Sequence, residues 1–149
     1  MATKDTLGDR MKRHETTTQL HLLRRTPVIA RIDGRSFHTF TKQFKQYNDP
    51  ELPFSEFLHT LMIFTTQELV KKVQGCVLGY TQSDEISLLL RDWDTIDTQA
   101  FFDYNVQKLT SLMGSIASNA FNFSYRPWAN SECVDDLAQF DARVFNLQD

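Results

Sequence analysis

The chain has 149 residues, a formal net charge of −3, an apolar share of 41% and a charged share of 23%, the make-up of one globular domain around one core. No apolar run approaches the roughly 20 residues of a membrane span, and the polar opening "MATKDTLGDRMKRHE" has no signal-like apolar stretch, so no membrane partner and a cytoplasmic location are expected. Cys76 and Cys133 stand alone, without metal-ligand spacing, and read as two reduced thiols.

The charge is unevenly spread. Residues 1–45 hold 10 Lys/Arg and 4 Asp/Glu, a net of +6, and residues 46–149 hold 6 and 15, a net of −9. A basic N-terminal third suits polyphosphate or nucleic acid, or simply a solvated helix face. The acidic remainder argues against a broad nucleic-acid platform unless bound cations offset it.

In chain order, residues 5–25 predict a helix with Leu7, Met11, Leu20 and Leu23 turned inward, stopped before Pro27. "PVIARID" is a short buried strand. "RSFHTFTKQF" predicts a short helix or tight loop carrying Phe37, Phe40 and Phe44 toward the core, and "KQYNDPELPF" predicts a loop. Residues 54–74 are the clearest helix. Phe54, Phe57, Leu58, Leu61, Met62, Leu69, Val70 and Val73 recur at spacings of three and four, and Gly75 ends the run. "CVLGYTQSDEISLLL" reads as two antiparallel strands about a tight polar tip, "TQSDE". A loop, "RDWDTID", leads to a long amphipathic helix over 98–121, and "FDARVFNL" is a last strand. The order predicts an α+β fold, an antiparallel-containing sheet with helices on one face, resembling a palm domain.

Two places put carboxylates at strand ends. Asp33 closes "VIARID", and Asp84 and Glu85 sit at the tip of the second hairpin. A turn accounts for Asp33-Gly34 alone, and a polar hairpin tip accounts for "SDE" alone. If the two strands are neighbours, however, Asp33 and Asp84 meet at one edge, where like charges repel unless a cation lies between them. A few carboxylates with open positions left for phosphate describe a magnesium site, and two such ions serve phosphoryl transfer. Gly34 brings a carbonyl or an N–H close to such a group. The turn from Arg35 to His38 offers backbone N–H groups, and Arg35 a guanidinium, to a triphosphate.

At these residues the sequence resembles a known family. "RIDGRSFHTFTK" and "GYTQSDEISLLL" are similar to the two signatures of the tRNA-histidine guanylyltransferase family, nearest its bacterial and phage-type 3′-to-5′ polymerase branch. "LGDRMKRHE", "VQKLTSLMGSIASNAFN" and "FDARVFNL" resemble further family stretches in the same order. Ala142 in "FDAR" stands where eukaryotic members usually have glycine, which favours the polymerase-like branch, and Asn105 stands where an arginine is common.

The resemblance implies a magnesium-dependent nucleotidyltransferase that adds nucleotides to the 5′ end of tRNA. Its partners would be tRNA, GTP, ATP and other nucleoside triphosphates, in a homo-oligomer. It implies that Asp33 and Asp84 bind two Mg²⁺ ions by side chain and Gly34 one by its carbonyl. Asp33, Gly34, Arg35, Ser36, Phe37 and His38 would wrap the nucleotide with Ser83 and Asp84. Glu85 would stand behind the two aspartates as a catalytic carboxylate, and Lys108 would contact phosphate. Residues 1–149 would form a single palm-like domain without the family's C-terminal extension. Two other readings remain: a non-catalytic nucleotide- or metal-binding module, and a palm-fold nucleotide cyclase.

Overall fold

A computed structural model of the chain describes residues 5–42, 44, 55–128 and 137–147. Four strands, β1 (Val28–Gly34), β2 (Cys76–Gln82), β3 (Glu85–Leu90) and β4 (Phe140–Asn146), form one sheet. Its order is β2-β3-β1-β4 and every pairing is antiparallel. Among the described residues four α-helices accompany it: α1 (Leu7–Thr16), α2 (Phe37–Phe40), α3 (Glu56–Lys72) and α4 (Val106–Tyr125). The architecture is the expected α+β, palm-like one, with α3 and α4 on one face of the sheet.

Alternation builds the core. Val28, Ala30 and Ile32 of β1 and Ile86, Leu88 and Leu90 of β3 are all fully buried, as the period of two in a strand requires when one face is covered. Leu61, Met62 and Leu69 of α3 and Leu109, Met113 and Ala117 of α4 close over them. A Cβ added at Gly79 would lie 2.6 Å from Val70 and 2.9 Å from Thr66, so the missing side chain lets α3 lie close on β2. Ser55 and Asn105 cap α3 and α4, each accepting a backbone N–H at 3.0 Å.

Three helices differ from the sequence reading in their bounds. The helix predicted over 5–25 ends at Thr16. Thr16, Thr17 and Thr18 each donate a hydroxyl hydrogen bond to the carbonyl three residues back, a local alternative that helix interiors disfavour. The following segment crosses the sheet end irregularly and pairs His21 with Asn105. Leu7 and Met11 are exposed rather than inward, as α1 buries none of its residues, and Leu20 and Leu23, in the irregular segment beyond it, are exposed as well.

The helix predicted over 98–121 begins only at Val106 and runs on to Tyr125. Phe102, Asp103 and Tyr104 before it take φ of 47°, 52° and 53°, a left-handed turn that no helix pattern announces. The helix predicted over 54–74 is Glu56–Lys72. Phe54, Cys133 and the loop at 45–53 lie outside the described residues.

Asp92 ties down the segment after α1. It is fully buried, and accepts from Arg24 Nε at 2.7 Å and from the Arg25 N–H at 2.8 Å. Burial, with Asp92 nearby, pushes the Tyr104 hydroxyl up to about 12. Asp92→Ala is expected to cost about 1–3 kcal/mol in a urea titration and to open 17–25 to protease. An unchanged cleavage pattern would refute the tether.

Candidate active site

The sheet face opposite α3 and α4 carries the alternate residues, and the pairing registers sort them into cross-strand rows. At the rim, Gln82, Glu85, Asp33 and Asp141 stand in line across β2, β3, β1 and β4. The next row is Tyr80, Ser87, Arg31 and Arg143, and the third is Leu78, Leu89, Ile29 and Phe145. One face thus runs from acidic through basic to apolar within three rows.

Asp33 and Asp84, some fifty residues apart in the chain, meet at the rim as the sequence suggested. β1 and β3 are neighbours, and the Gly34 N–H donates to the Asp84 carbonyl at 3.1 Å. Ser83 turns the hairpin with a φ of 55°, and its hydroxyl donates to Asp84 Oδ1 at 3.0 Å. Burial raises the Asp33 pKa above the ordinary carboxylate value. The charges of Asp84, Asp141 and Glu85 push it the same way, and Arg143 opposes them.

Arginines of the second row answer the acids of the first. Arg143 Nη2 lies 3.5 Å from Asp33 and 3.7 Å from Asp141, and Arg31 pairs with Glu85. These groups are partly solvated, so each pair adds little to stability. Their effect is to hold carboxylates in place at a crowded rim.

Among the described residues, no three His, Cys, Asp or Glu side chains form a metal cage of their own. Magnesium does not need one. It is commonly held by one or two carboxylates, with waters and substrate phosphates completing the shell. Two aspartates side by side, one with a raised pKa, fit that donor set.

The nucleotide-loop candidates divide. A Cβ at Gly34 would lie 2.2 Å from the Phe37 ring, so the glycine also makes room for a core side chain. Phe37 is buried and packs 5.0 Å from Phe140 and 5.5 Å from Phe121, ring centre to ring centre. Only its backbone can face a ligand. The Arg35 N–H donates to the Gln139 carbonyl at 2.8 Å, and its guanidinium to Gln139 Oε1 at 2.5 Å. The first N–H groups of α2, at Phe37 and His38, have no intrahelical acceptor. An open cleft of about 340 Å³ lies here, lined by Arg35, Ser36, Thr39, Phe40, Leu137, Ala138 and Gln139.

Lys108 is not brought to this rim. It lies in the first turn of α4, at the end of the molecule where Leu22 meets Tyr104 and Leu23 meets Asn146. Its ammonium sits 5.7 Å from the centre of the Phe102 ring.

A family model described as tRNAHis guanylyltransferase (Thg1) matches residues 8–148. The chain belongs to this family. A probable tRNA(His) guanylyltransferase of Mus musculus is 29% identical over 119 residues, covering 78% of this chain and 36% of that protein. A bacterial tRNA(His) guanylyltransferase-like protein in complex with GTP superimposes with a TM-score of 0.84 at 38% identity, covering 96% of this chain and 64% of that one. For a bacterial protein of the same description in complex with ATP, the TM-score is 0.83 at 39% identity, with 96% and 58% covered. The chain spans under half the length of the curated relatives it matches, 36% to 47% among them.

Sequence reasoning missed Asp141, Arg31 and Arg143 of this candidate site. The signal was available as "RID" and "DAR", two charge pairs at a spacing of two on strands. What was lacking was the register that sets them side by side.

The raised pKa of Asp33 fixes the sign of a stability test. A carboxyl whose folded pKa is raised favours the fold when protonated. That contribution is complete below the ordinary carboxylate value and is lost as pH rises through the raised one. At neutral pH, Asp33→Asn should therefore raise the melting temperature of the metal-free protein. The gap over wild type should shrink toward pH 4 and close when Mg²⁺ is added to wild type. A variant that melts lower at every pH would contradict the electrostatic account.

Proposed function

We propose that this chain is a nucleotidyltransferase acting on the 5′ end of tRNA, adding nucleotides in the 3′-to-5′ direction. The observation that carries the reading is the meeting of Asp33, Gly34 and Asp84 at one sheet edge, beside the turn that opens α2. Membership of the tRNAHis guanylyltransferase family supports it, as does likeness to bacterial proteins solved in complex with GTP and ATP.

The Asp33 and Asp84 carboxylates, with the Gly34 carbonyl, would hold two magnesium ions. When bound, these supply positive charge that favours an attacking oxygenate and neutralises a departing phosphate. The remaining work belongs to the chain. Backbone N–H groups of the Ser36–His38 turn would receive the triphosphate oxygens, and Ser83 would hold Asp84 in position. Arg35 would exchange its Gln139 contact for phosphate, a charge-assisted bond in place of a neutral acceptor. Glu85, held by Arg31, would keep the negative field that draws the cations in. Lys108 would contact an RNA phosphate away from the rim.

In the transfer itself, the 3′-hydroxyl oxygen of the incoming triphosphate bonds to the phosphorus of the activated 5′ end. The hydroxyl proton passes to water, the bond from that phosphorus to its leaving group breaks, and what departs is AMP where ATP has first adenylylated a 5′ monophosphate, or pyrophosphate where the end already carries a triphosphate. Positioning both reactants along one rim supplies much of the rate.

The test is extension of a 5′-truncated tRNA with Mg²⁺ and nucleoside triphosphates. Asp33→Ala and Asp84→Ala should each lower the rate by about 10²–10³-fold or more while the fold persists by circular dichroism. Extension that survives both changes sinks the assignment. Tight triphosphate binding without any product would instead make the chain a binding module. Arg35→Ala should raise KM for the nucleoside triphosphate about tenfold with little change in kcat, and a pure kcat loss would deny it a binding role.

A further inference from the structure

Tyr80 has no part in the site as described, yet it stands one row behind the acidic rim on the open sheet face. Its side of β2 is exposed, and the residue keeps 57% of its surface. Its hydroxyl donates to Gln82 Oε1 at 2.9 Å. Gln82 is two residues on and belongs to the rim row, so the ring leans along the strand toward the acids rather than standing free. Across the sheet the same row continues through Ser87 to Arg31 and Arg143. With strands about 4.8 Å apart, Arg31 lies two strands away, roughly 10 Å along the row. Behind Tyr80, Leu78, Leu89, Ile29 and Phe145 form an apolar row.

An exposed ring held in one orientation, with guanidinium groups in line with it, is the make-up of a surface that stacks a base and pairs with its backbone. A protein partner fits less well. A docked protein face would bury the charged row, with its Arg31–Glu85 and Arg143–Asp33 pairs, along with the apolar one, and desolvating such pairs is costly. A polynucleotide satisfies both features, with bases against the ring and apolar row and phosphates near the arginines. The face is also continuous with the rim at which the 5′ end would react.

We propose that Tyr80 stacks a base of the RNA strand whose 5′ end is presented to the acidic rim, which makes it a positioning residue for the polynucleotide and not for the incoming nucleotide. This rests on the reading that the chain acts on RNA.

The probe is a tRNA carrying 2-aminopurine at one of its first 5′ positions, titrated with protein in Mg²⁺ and without nucleoside triphosphate. Wild type should quench the fluorophore, the signature of stacking. Tyr80→Phe should keep the quench and stay within about twofold in affinity. Tyr80→Leu and Tyr80→Ala should lose the quench and bind RNA on the order of tenfold more weakly, with GTP affinity and melting temperature unchanged. The proposal is overturned if the Leu variant keeps both quench and affinity, or if GTP affinity falls in step with RNA affinity. It is equally overturned if the Ala variant alters the sedimenting mass and not RNA binding, since the face would then join copies of the chain. A wild type that extends RNA while the Tyr80 variants bind it normally defeats only this proposal. A wild type that neither binds nor extends RNA defeats the tRNA reading as well.

Discussion

Everything at the candidate site depends on β1 being paired on both sides. Asp33 faces Glu85 on one neighbour and Asp141 on the other, and Arg31 faces Ser87 and Arg143. Because side chains alternate along a strand, a slip of one residue would send Asp33 and Arg31 into the core and bring Ile32 to the surface. The buried row of Val28, Ala30 and Ile32 therefore specifies the chemistry of the opposite face. Burying those three side chains and placing the carboxylates are one structural event.

That arrangement leaves an electrostatic imbalance. Three acids stand in one row with Asp84 beside them, and Asp33 is held away from its ordinary ionisation by burial and by its neighbours. The second-row arginines relieve this in part, from a geometry that is only moderately close for Arg143. A rim that is uncomfortable when it holds protein charges alone is well matched to cations arriving with a polyphosphate. The arginines would then be released from their acids when the cations bind, and become available to negative groups on a substrate. Local strain of this kind is expected where charge must be accepted rather than merely stabilised.

Much of this was legible in the sequence, for physical reasons that differ by element. β1, the β2–β3 hairpin and α3 carry apolar patterns set by burial of a single face, which is what periodicity reports. Asp33 and Asp84 were readable because both lie at strand ends, where turns confine a residue to the sheet edge whatever the register. The start of α4 was not readable. The left-handed turn at Phe102–Tyr104 is held by tertiary contacts such as the Leu22 N–H to the Tyr104 carbonyl, and no local propensity signals it. The end of α1 turned on three threonines competing for carbonyls, a small local effect that outweighed an apolar spacing with nothing to bury against. The rows on the open face needed the register of three strand pairings at once.

Gly34 shows why the fold and the proposed chemistry cannot be separated by a substitution at that position. Its missing side chain admits the Phe37 ring, and Phe37 in turn anchors the turn through Phe121 and Phe140. The buried ring pins the start of α2 to the core, four residues beyond Asp33. A larger residue would displace the ring before it met any ligand. Loss of activity there would report a displaced aromatic core as readily as a lost carbonyl ligand. The guanidinium of Arg35 and the hydroxyl of Ser83 lie outside that core, so changes at those two positions separate ligand binding from packing.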